Sequence, residues 1–156
     1  MKTLIIIPSR LSATRLPGKP LLKINNISII SHVFKRAKEA NIGEVIVAAE
    51  DQEIVNDVKN NGGNAILTTK NHKTGTDRIY EAYKLLGRND VDLIMNIQGD
   101  EPEIDINDIK NLDKKMRTNM TKIGTLAAKI TSPEIYGNEN FVKVKVNKPL
   151  YQFLIN

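Results

Sequence analysis

Apolar and polar positions divide the chain into short apolar runs alternating with longer stretches of helical spacing. Leu4 to Ile7 is a solid apolar run rich in β-branched residues, the length of a buried strand. Residues 27–40 set Ile27, Ile30, Val33, Phe34 and Ala37 at helical spacing with Lys35, Arg36, Lys38 and Glu39 opposite, which predicts an amphipathic helix over the first strand. Glu44 to Ala49 predicts a second buried strand, and Asp51 caps a helix running through Asn60 to a stop at Gly62-Gly63. Ala65 to Thr68 is a third strand, followed by a helix capped by Thr76 that carries Ile79, Ala82, Tyr83 and Leu86 on one face. Leu93 to Ile97 is a fourth strand, and Asp105 caps a helix through Met116. Thr125 to Ile130 predicts a fifth strand, Ser132-Pro133 a turn ending at Gly137, and the strict alternation of Val142 to Asn147 an antiparallel edge strand. Strands alternating with helices define an α/β fold with a doubly wound, mostly parallel sheet, whose ligand lies across the strand C-termini. The apolar segment Leu150 to Ile155 closes the chain without a cap or turn, so the fold is expected to be incomplete at its C-terminus.

Composition narrows the class without naming a chemistry. The chain has 156 residues, 40% apolar and 26% charged, which fits one soluble globular domain with a proper core. It contains no cysteine, which excludes disulfide frameworks, thiolate metal sites and cysteine nucleophiles. No apolar run reaches the length of a membrane span and no signal peptide is visible, so the expectation is a cytoplasmic protein with no membrane partner. Few aromatic residues and no recurring basic stripe argue against a nucleic-acid partner.

Charge does change the picture, because it is localised. Residues 1–23 carry Lys2, Arg10, Arg15, Lys19 and Lys23 and no acid, while the rest of the chain holds 18 basic and 18 acidic groups. The excess of +5 therefore sits on the first strand and the loop that follows its break at Pro8, with Gly18 beside Lys19 and prolines at 17 and 20. Guanidinium and ammonium groups in a stiffened loop at a strand's C-terminal end make an anion receptor, each charged hydrogen bond contributing about 1.5–3 kcal/mol. We read it as a triphosphate cradle, against the plainer reading of a solvated basic face. It is not a Walker A loop, since Pro20 follows Lys19, and no GxGxxG occurs. The second polar loop, Asn71 to Arg78, has Gly75 between two threonines ahead of a helix N-terminus, suited to close approach by a ligand or simply to capping. His72 in this loop is expected to face solvent, and His32 to be a surface residue of its helix. The third loop, Gln98 to Pro102, presents Asp100 and Glu101 at the end of a buried strand. Acids there suit Mg²⁺ opposite a triphosphate, or serve as ordinary turn residues.

Four segments together, Ser9-Arg10, Thr14 to Leu21, Thr74 to Arg78 and Asn96 to Pro102, closely resemble the 3-deoxy-manno-octulosonate cytidylyltransferases, or CMP-Kdo synthetases, over about residues 3–151. Sialic acid cytidylyltransferases share the basic loop but not the combined TGTDR and QGDEP pattern. The resemblance implies that residues 1–156 are the nucleotide-binding part of an enzyme joining CTP to Kdo, releasing pyrophosphate and supplying lipopolysaccharide biosynthesis. In such enzymes the anomeric hydroxyl attacks the α-phosphate in line, and the protein positions groups and neutralises charge. By position, Arg10, Arg15 and Lys19 hold the triphosphate; backbone around Pro8 and Ser9, with Arg78, reads the cytidine; Thr74 and Gly75 also belong to the nucleotide site; Gln98 lies between nucleotide and sugar; and Asp100 ligates the Mg²⁺ cofactor. Arg10, Lys19 and Asp100 are the expected catalytic residues. The resemblance further implies a homodimer, and relatives longer at the C-terminus, where a second metal aspartate and most of the sugar pocket belong. Around Tyr151 the family continues Tyr-Phe-Ser-Arg, whereas this chain reads Tyr-Gln-Phe-Leu-Ile-Asn, so truncation and impaired turnover are expected. Two other readings stay open: a catalytically inactive nucleotide-binding fragment of a split or degenerate gene, and another sugar nucleotidylyltransferase of the same fold.

Overall fold

The computed structural model describes residues 1–12, 16–69, 72–119, 121–139 and 141–144. Among the described residues, four parallel strands form the main sheet: β1 (Thr3–Ser9), β4 (Gly43–Ala49), β5 (Ala65–Leu67) and β6 (Leu93–Asn96), in the spatial order β5-β4-β1-β6. A two-stranded antiparallel hairpin, β2 (Lys23–Ile24) with β3 (Ile27–Ser28), stands apart from it. Strand β1 is central, pairing in register with β4 from Thr3↔Gly43 to Ser9↔Ala49 and with β6 from Thr3↔Leu93 to Ile6↔Asn96. This position explains why Leu4 to Ile7 is apolar throughout: both faces of the strand are covered.

The two faces divide by parity. Ile5 and Ile7 pack with Ile30, Val33 and Phe34 of α1 (Ile29–Glu39), with Ile54, Val55 and Val58 of α2 (Gln52–Asn60), and with Ile109 of α4 (Ile106–Asn119). Leu4 and Ile6 pack with Ile79 and Ala82 of α3 (Gly75–Leu86) on the other side. Helices on both faces of a parallel sheet make the doubly wound architecture expected from the alternation of elements. The chain steps from β1 outward to β4 and β5, then returns to place β6 on the opposite side of β1. The direction of winding therefore reverses between β1 and β6, and ligands of such sheets bind at that point, beyond the strand C-termini.

Several boundaries and caps differ from expectation for local reasons. Residues 27–28 pair with β2 before α1 begins, and Ser28 caps α1 by accepting from the Ser31 N–H at 3.2 Å. Asp51 precedes α2 but makes no side-chain cap bond; its carboxylate accepts instead from the Leu11 N–H at 2.9 Å. Helix α3 is capped by Thr74 rather than Thr76, through a capping box in which the Asp77 N–H donates to the Thr74 hydroxyl and the Asp77 carboxylate accepts from the Thr74 N–H. The expected helix after Asp105 runs to Asn119, with Asp105 accepting from the Asn107 N–H at 2.8 Å.

The contacts split the chain into two units, Met1–Lys122 and Ile123–Asn156. All the elements above belong to the first. In the second, the expected strand at 125–130 is absent and those residues are exposed, because a strand needs a neighbouring ladder and none pairs with them among the described residues. The turn expected after Ser132 is a short helix, α5 (Pro133–Gly137), with Ser132 accepting from the Glu134 N–H at 3.2 Å. Of the expected edge strand, residues 142–144 are exposed and not in a strand, and residues 145–147 lie outside the described residues, as does the apolar segment 150–155.

Candidate nucleotide-binding site

Three sequence loops that are far apart in the chain meet around one residue, Pro8. A Cβ added at Gly75 would lie 3.1 Å from the Pro8 ring, and one added at Gly99 would lie 2.8 Å from the Pro8 carbonyl oxygen. The Gly99 contact is with backbone and cannot yield, so glycine there lets the end of β6 close on the end of β1. The loops after β1 and β6 and the N-terminus of α3 thus form one cleft at the winding reversal.

Within this cleft lies a cavity of about 180 Å³ lined by Pro8, Ser9 and Arg10 from the first loop, residues 72–75 and Arg78 from the second, and Gln98 from the third. Of the expected nucleotide residues, Pro8, Ser9, Arg10, Thr74, Gly75, Arg78 and Gln98 are therefore brought together. Ser9 is 6% exposed, and its hydroxyl is the only buried side-chain polar atom among the described residues without a hydrogen-bond partner. A buried hydroxyl left unpaired costs about 1–3 kcal/mol, and the lining position of Ser9 lets a ligand satisfy it. Arg10 is exposed and makes no hydrogen bond or ion pair among the described residues, which leaves its guanidinium available to an anion.

A larger hollow of about 560 Å³ lies beside Ile24 and residues 101–104. Its lining carries Glu101 and Glu103 and no cation, so it repels phosphate, and the smaller cleft is the candidate.

Lys19 does not line the cavity but reaches the third loop directly: its Nζ lies 2.9 Å from Asp100 Oδ2. The Leu11 carbonyl accepts from the Gly18 N–H at 3.1 Å, and Gly18 takes the left-handed conformation at φ 73°, which turns the chain into a short 3₁₀ turn beginning at Lys19. Lys19, one of the three cations of the expected cradle, thus meets Asp100, the acid expected opposite it. Their side chains are 34% and 57% exposed, and such a pair contributes only about 0–1 kcal/mol, so a phosphate group readily replaces it. Arg15 and its neighbours Ala13 and Thr14 lie outside the described residues.

Asp100 meets the chemistry of a Mg²⁺ ligand in part. Among the described residues, no group of three or more His, Cys, Asp or Glu side chains is placed to hold a metal ion by itself. Magnesium in phosphate sites is held by one or two carboxylates together with substrate phosphates. Among the described residues, one carboxylate beside the Lys19 ammonium fits an ion that arrives with a nucleotide and does not fit a resident metal.

The structure also corrects the expectation for His72 and adds residues the sequence did not single out. His72 is half-buried and its Nε2 bonds to Glu81, a residue of α3, while the Thr69 N–H donates to Glu81 at 2.9 Å. Burial pushes the Glu81 carboxyl up, but donation from the Thr69 backbone, His72 and the Thr69 hydroxyl outweighs it and holds the pKa below its ordinary value. Lys73 is an exposed cation on the cavity wall; its one sequence signal was a position beside the TGTDR segment. Arg78, at 2% exposed, is anchored: it bonds to Glu50 and donates to the Thr68 hydroxyl at 2.7 Å. His32 lies 2.8 Å from the Ile24 carbonyl and ties α1 to the hairpin, away from the cavity lining.

Among the described residues, a parallel sheet of order β5-β4-β1-β6 with helices on both faces defines a doubly wound α/β protein, and a cleft lined by Arg10, Lys73 and Arg78 lies at its winding reversal. A family model described as cytidylyltransferase matches residues 4–155, and the chain belongs to that family. It is 45% identical over 152 residues to a 3-deoxy-manno-octulosonate cytidylyltransferase of Fusobacterium nucleatum, covering 97% of this chain and 61% of that protein. It is 43% identical over 150 residues to one of Nitrobacter winogradskyi, covering 96% and 59%. Among solved structures, CMP:2-keto-3-deoxy-manno-octonic acid synthetase complexed with CTP superposes with a TM-score of 0.70 at 40% identity, covering 77% of this chain and 49% of that one. A cytidylyltransferase from Leptospira borgpetersenii gives 0.65 at 26% identity. The chain spans about three-fifths of the length of the curated relatives it matches.

Proposed function

We propose that this chain binds CTP in the cleft around Pro8 and serves the transfer of its cytidylyl group to Kdo, with release of pyrophosphate. The observation that carries the reading is the convergence of three separate loops on one cavity holding an unpaired buried hydroxyl, Ser9, and an unengaged guanidinium, Arg10. The names of the relatives and the CTP complex of a solved structure support the choice of nucleotide and sugar.

In this reading Arg10, Arg15 and Lys19 take the triphosphate, and Lys19 exchanges its ion pair with Asp100 for a phosphate contact. Ser9 and the backbone at Pro8, with Thr74, Gly75 and Arg78, line the cytidine side, and Gln98 faces the sugar. The sugar's anomeric hydroxyl displaces pyrophosphate from the α-phosphorus: one C–O–P bond forms, one P–O–P bond breaks, and the hydroxyl proton leaves to solvent or base. The positive charge of the loop stabilises the leaving pyrophosphate. Asp100 would hold Mg²⁺ together with the nucleotide; bound there, the ion supplies further neutralisation of phosphate charge. We place the activity in the cytoplasm, feeding lipopolysaccharide synthesis. Among the described residues no helix is long and apolar enough to cross a membrane.

A thermal-shift titration with CTP, UTP and GTP in Mg²⁺ tests the first step. CTP at 100 times its Kd adds about 2.7 kcal/mol of stability, and the other two are expected to add much less. Equal shifts by all three nucleotides, or none by CTP, would reject the assignment, and pyrophosphate release on adding Kdo reads the second step.

A further inference from the structure

Glu50 is the first residue after β4, and its two carboxylate oxygens serve different walls of the cleft. Oε1 accepts from the Ser12 hydroxyl at 2.8 Å, on the loop that follows β1. Oε2 accepts from Nη2 of Arg78, the first-turn residue of α3 that forms part of the cavity wall. The other guanidinium nitrogen, Nη1, donates to the Thr68 hydroxyl at 2.7 Å, and that hydroxyl in turn donates to the Ala49 carbonyl at 3.0 Å. The Glu50 N–H donates to the Ser9 carbonyl at 3.4 Å, and the neighbouring Asp51 holds the same loop through the Leu11 N–H.

We infer that Glu50 is a positioning residue that locks the two walls of the cleft to each other, holding Arg78 for the base and the loop after β1 for the phosphates. The side chains of Glu50 and Arg78 are 9% and 3% exposed, so the pair is almost sealed from water. An ion pair serving only the core has no use for a bond to Ser12, which is exposed. That second bond makes the position of one wall depend on the position of the other. Glu50 does not itself line the cavity, so its effect passes through Arg78 and Ser12. The inference rests on the CTP-binding reading above and deepens it, because it assigns base discrimination to a residue beneath the site.

The test measures Kd by calorimetry for CTP, UTP and inorganic tripolyphosphate in the wild-type chain, Glu50→Ala, Ser12→Ala and the double variant. Ser12→Ala removes only the loop half and is expected to weaken CTP and tripolyphosphate alike, by about threefold. Glu50→Ala removes both halves and is expected to weaken tripolyphosphate by that same factor, to weaken CTP by about thirtyfold, and to narrow the preference for CTP over UTP. Adding Ser12→Ala to Glu50→Ala should change nothing further, because the bond to Ser12 is already gone. Equal losses for all three ligands in Glu50→Ala mean a merely structural role and overturn the inference, as do wild-type affinities in that variant. If Glu50→Ala does not fold, Ser12→Ala decides: unchanged tripolyphosphate affinity there overturns the coupling. A wild-type chain that binds none of the three ligands removes the functional reading, and this inference with it.

Discussion

Lys19 and Asp100 hold each other through an exposed pair, and Lys19 is the residue the proposed ligand would take from it. Losing an exposed pair costs about 0–1 kcal/mol, whereas losing a charged phosphate contact costs about 1.5–3 kcal/mol. Lys19→Ala is therefore expected to leave the melting temperature nearly unchanged and to weaken CTP by about one to two powers of ten in Kd, read by calorimetry. Glu81 gives a pH test of opposite character. Its folded pKa is depressed by the Thr69 and His72 donors, so its stabilising contribution is fully present above its ordinary value of 4.5. That contribution is lost as pH falls through the lower folded value. The stability difference between the wild-type chain and Glu81→Gln, from urea titrations at several pH values, should be largest at neutral pH and shrink below about 4.5. Residue by residue, most of the cleft was legible: Ser9, Arg10, Thr74, Gly75, Arg78 and Gln98 stood in motifs and all line one cavity. His72 and Glu50 were not, since a histidine in a polar loop and an acid after a strand look like solvent-facing residues until their partners on α3 are known.

Among the elements, α4 is fixed to the start of β1 by a polar cluster distant from the cleft. The Thr3 hydroxyl donates to Asp113 at 2.6 Å, and Arg117 donates to Asp113 at 2.6 Å and to the Thr3 hydroxyl at 2.7 Å. Asp113 is buried, so its removal leaves the buried Thr3 hydroxyl without its acceptor and the partly exposed Arg117 without its carboxylate. Asp113→Ala is expected to destabilise the fold by about 3 kcal/mol in urea unfolding, with CTP affinity in the folded fraction unchanged. Helix periodicity found α1 to α4 because an amphipathic helix buries one face whatever its neighbours are. The expected strand at 125–130 failed because a strand is defined by pairing, which an apolar run cannot supply alone. Caps showed the same limit. Asp51 had the right position for α2, but the Leu11 N–H on the loop after β1 took its carboxylate.

For the whole molecule, the sheet, both cores and every residue lining the cleft fall within Met1–Lys122. A chain ending at Lys122 is therefore expected to unfold cooperatively and to keep its CTP affinity within about twofold, measured by circular dichroism melts and calorimetry. Non-cooperative melting would show that the second unit contributes to the core. The amino-acid sequence alone determined the α/β class, the buried central strand and the three loops that carry the motifs, because burial on two faces, helical amphipathicity and glycine placement are local properties. The tertiary structure decided which of those loops touch. Strand order placed β6 beside β1, packing brought Gly75 and Gly99 each against Pro8, and a partly buried carboxylate at Glu50 joined two walls whose contact no local pattern encodes. Such pairings depend on the long-range register of the sheet, in which Ile6 lies opposite Asn96, and only the folded chain sets that register.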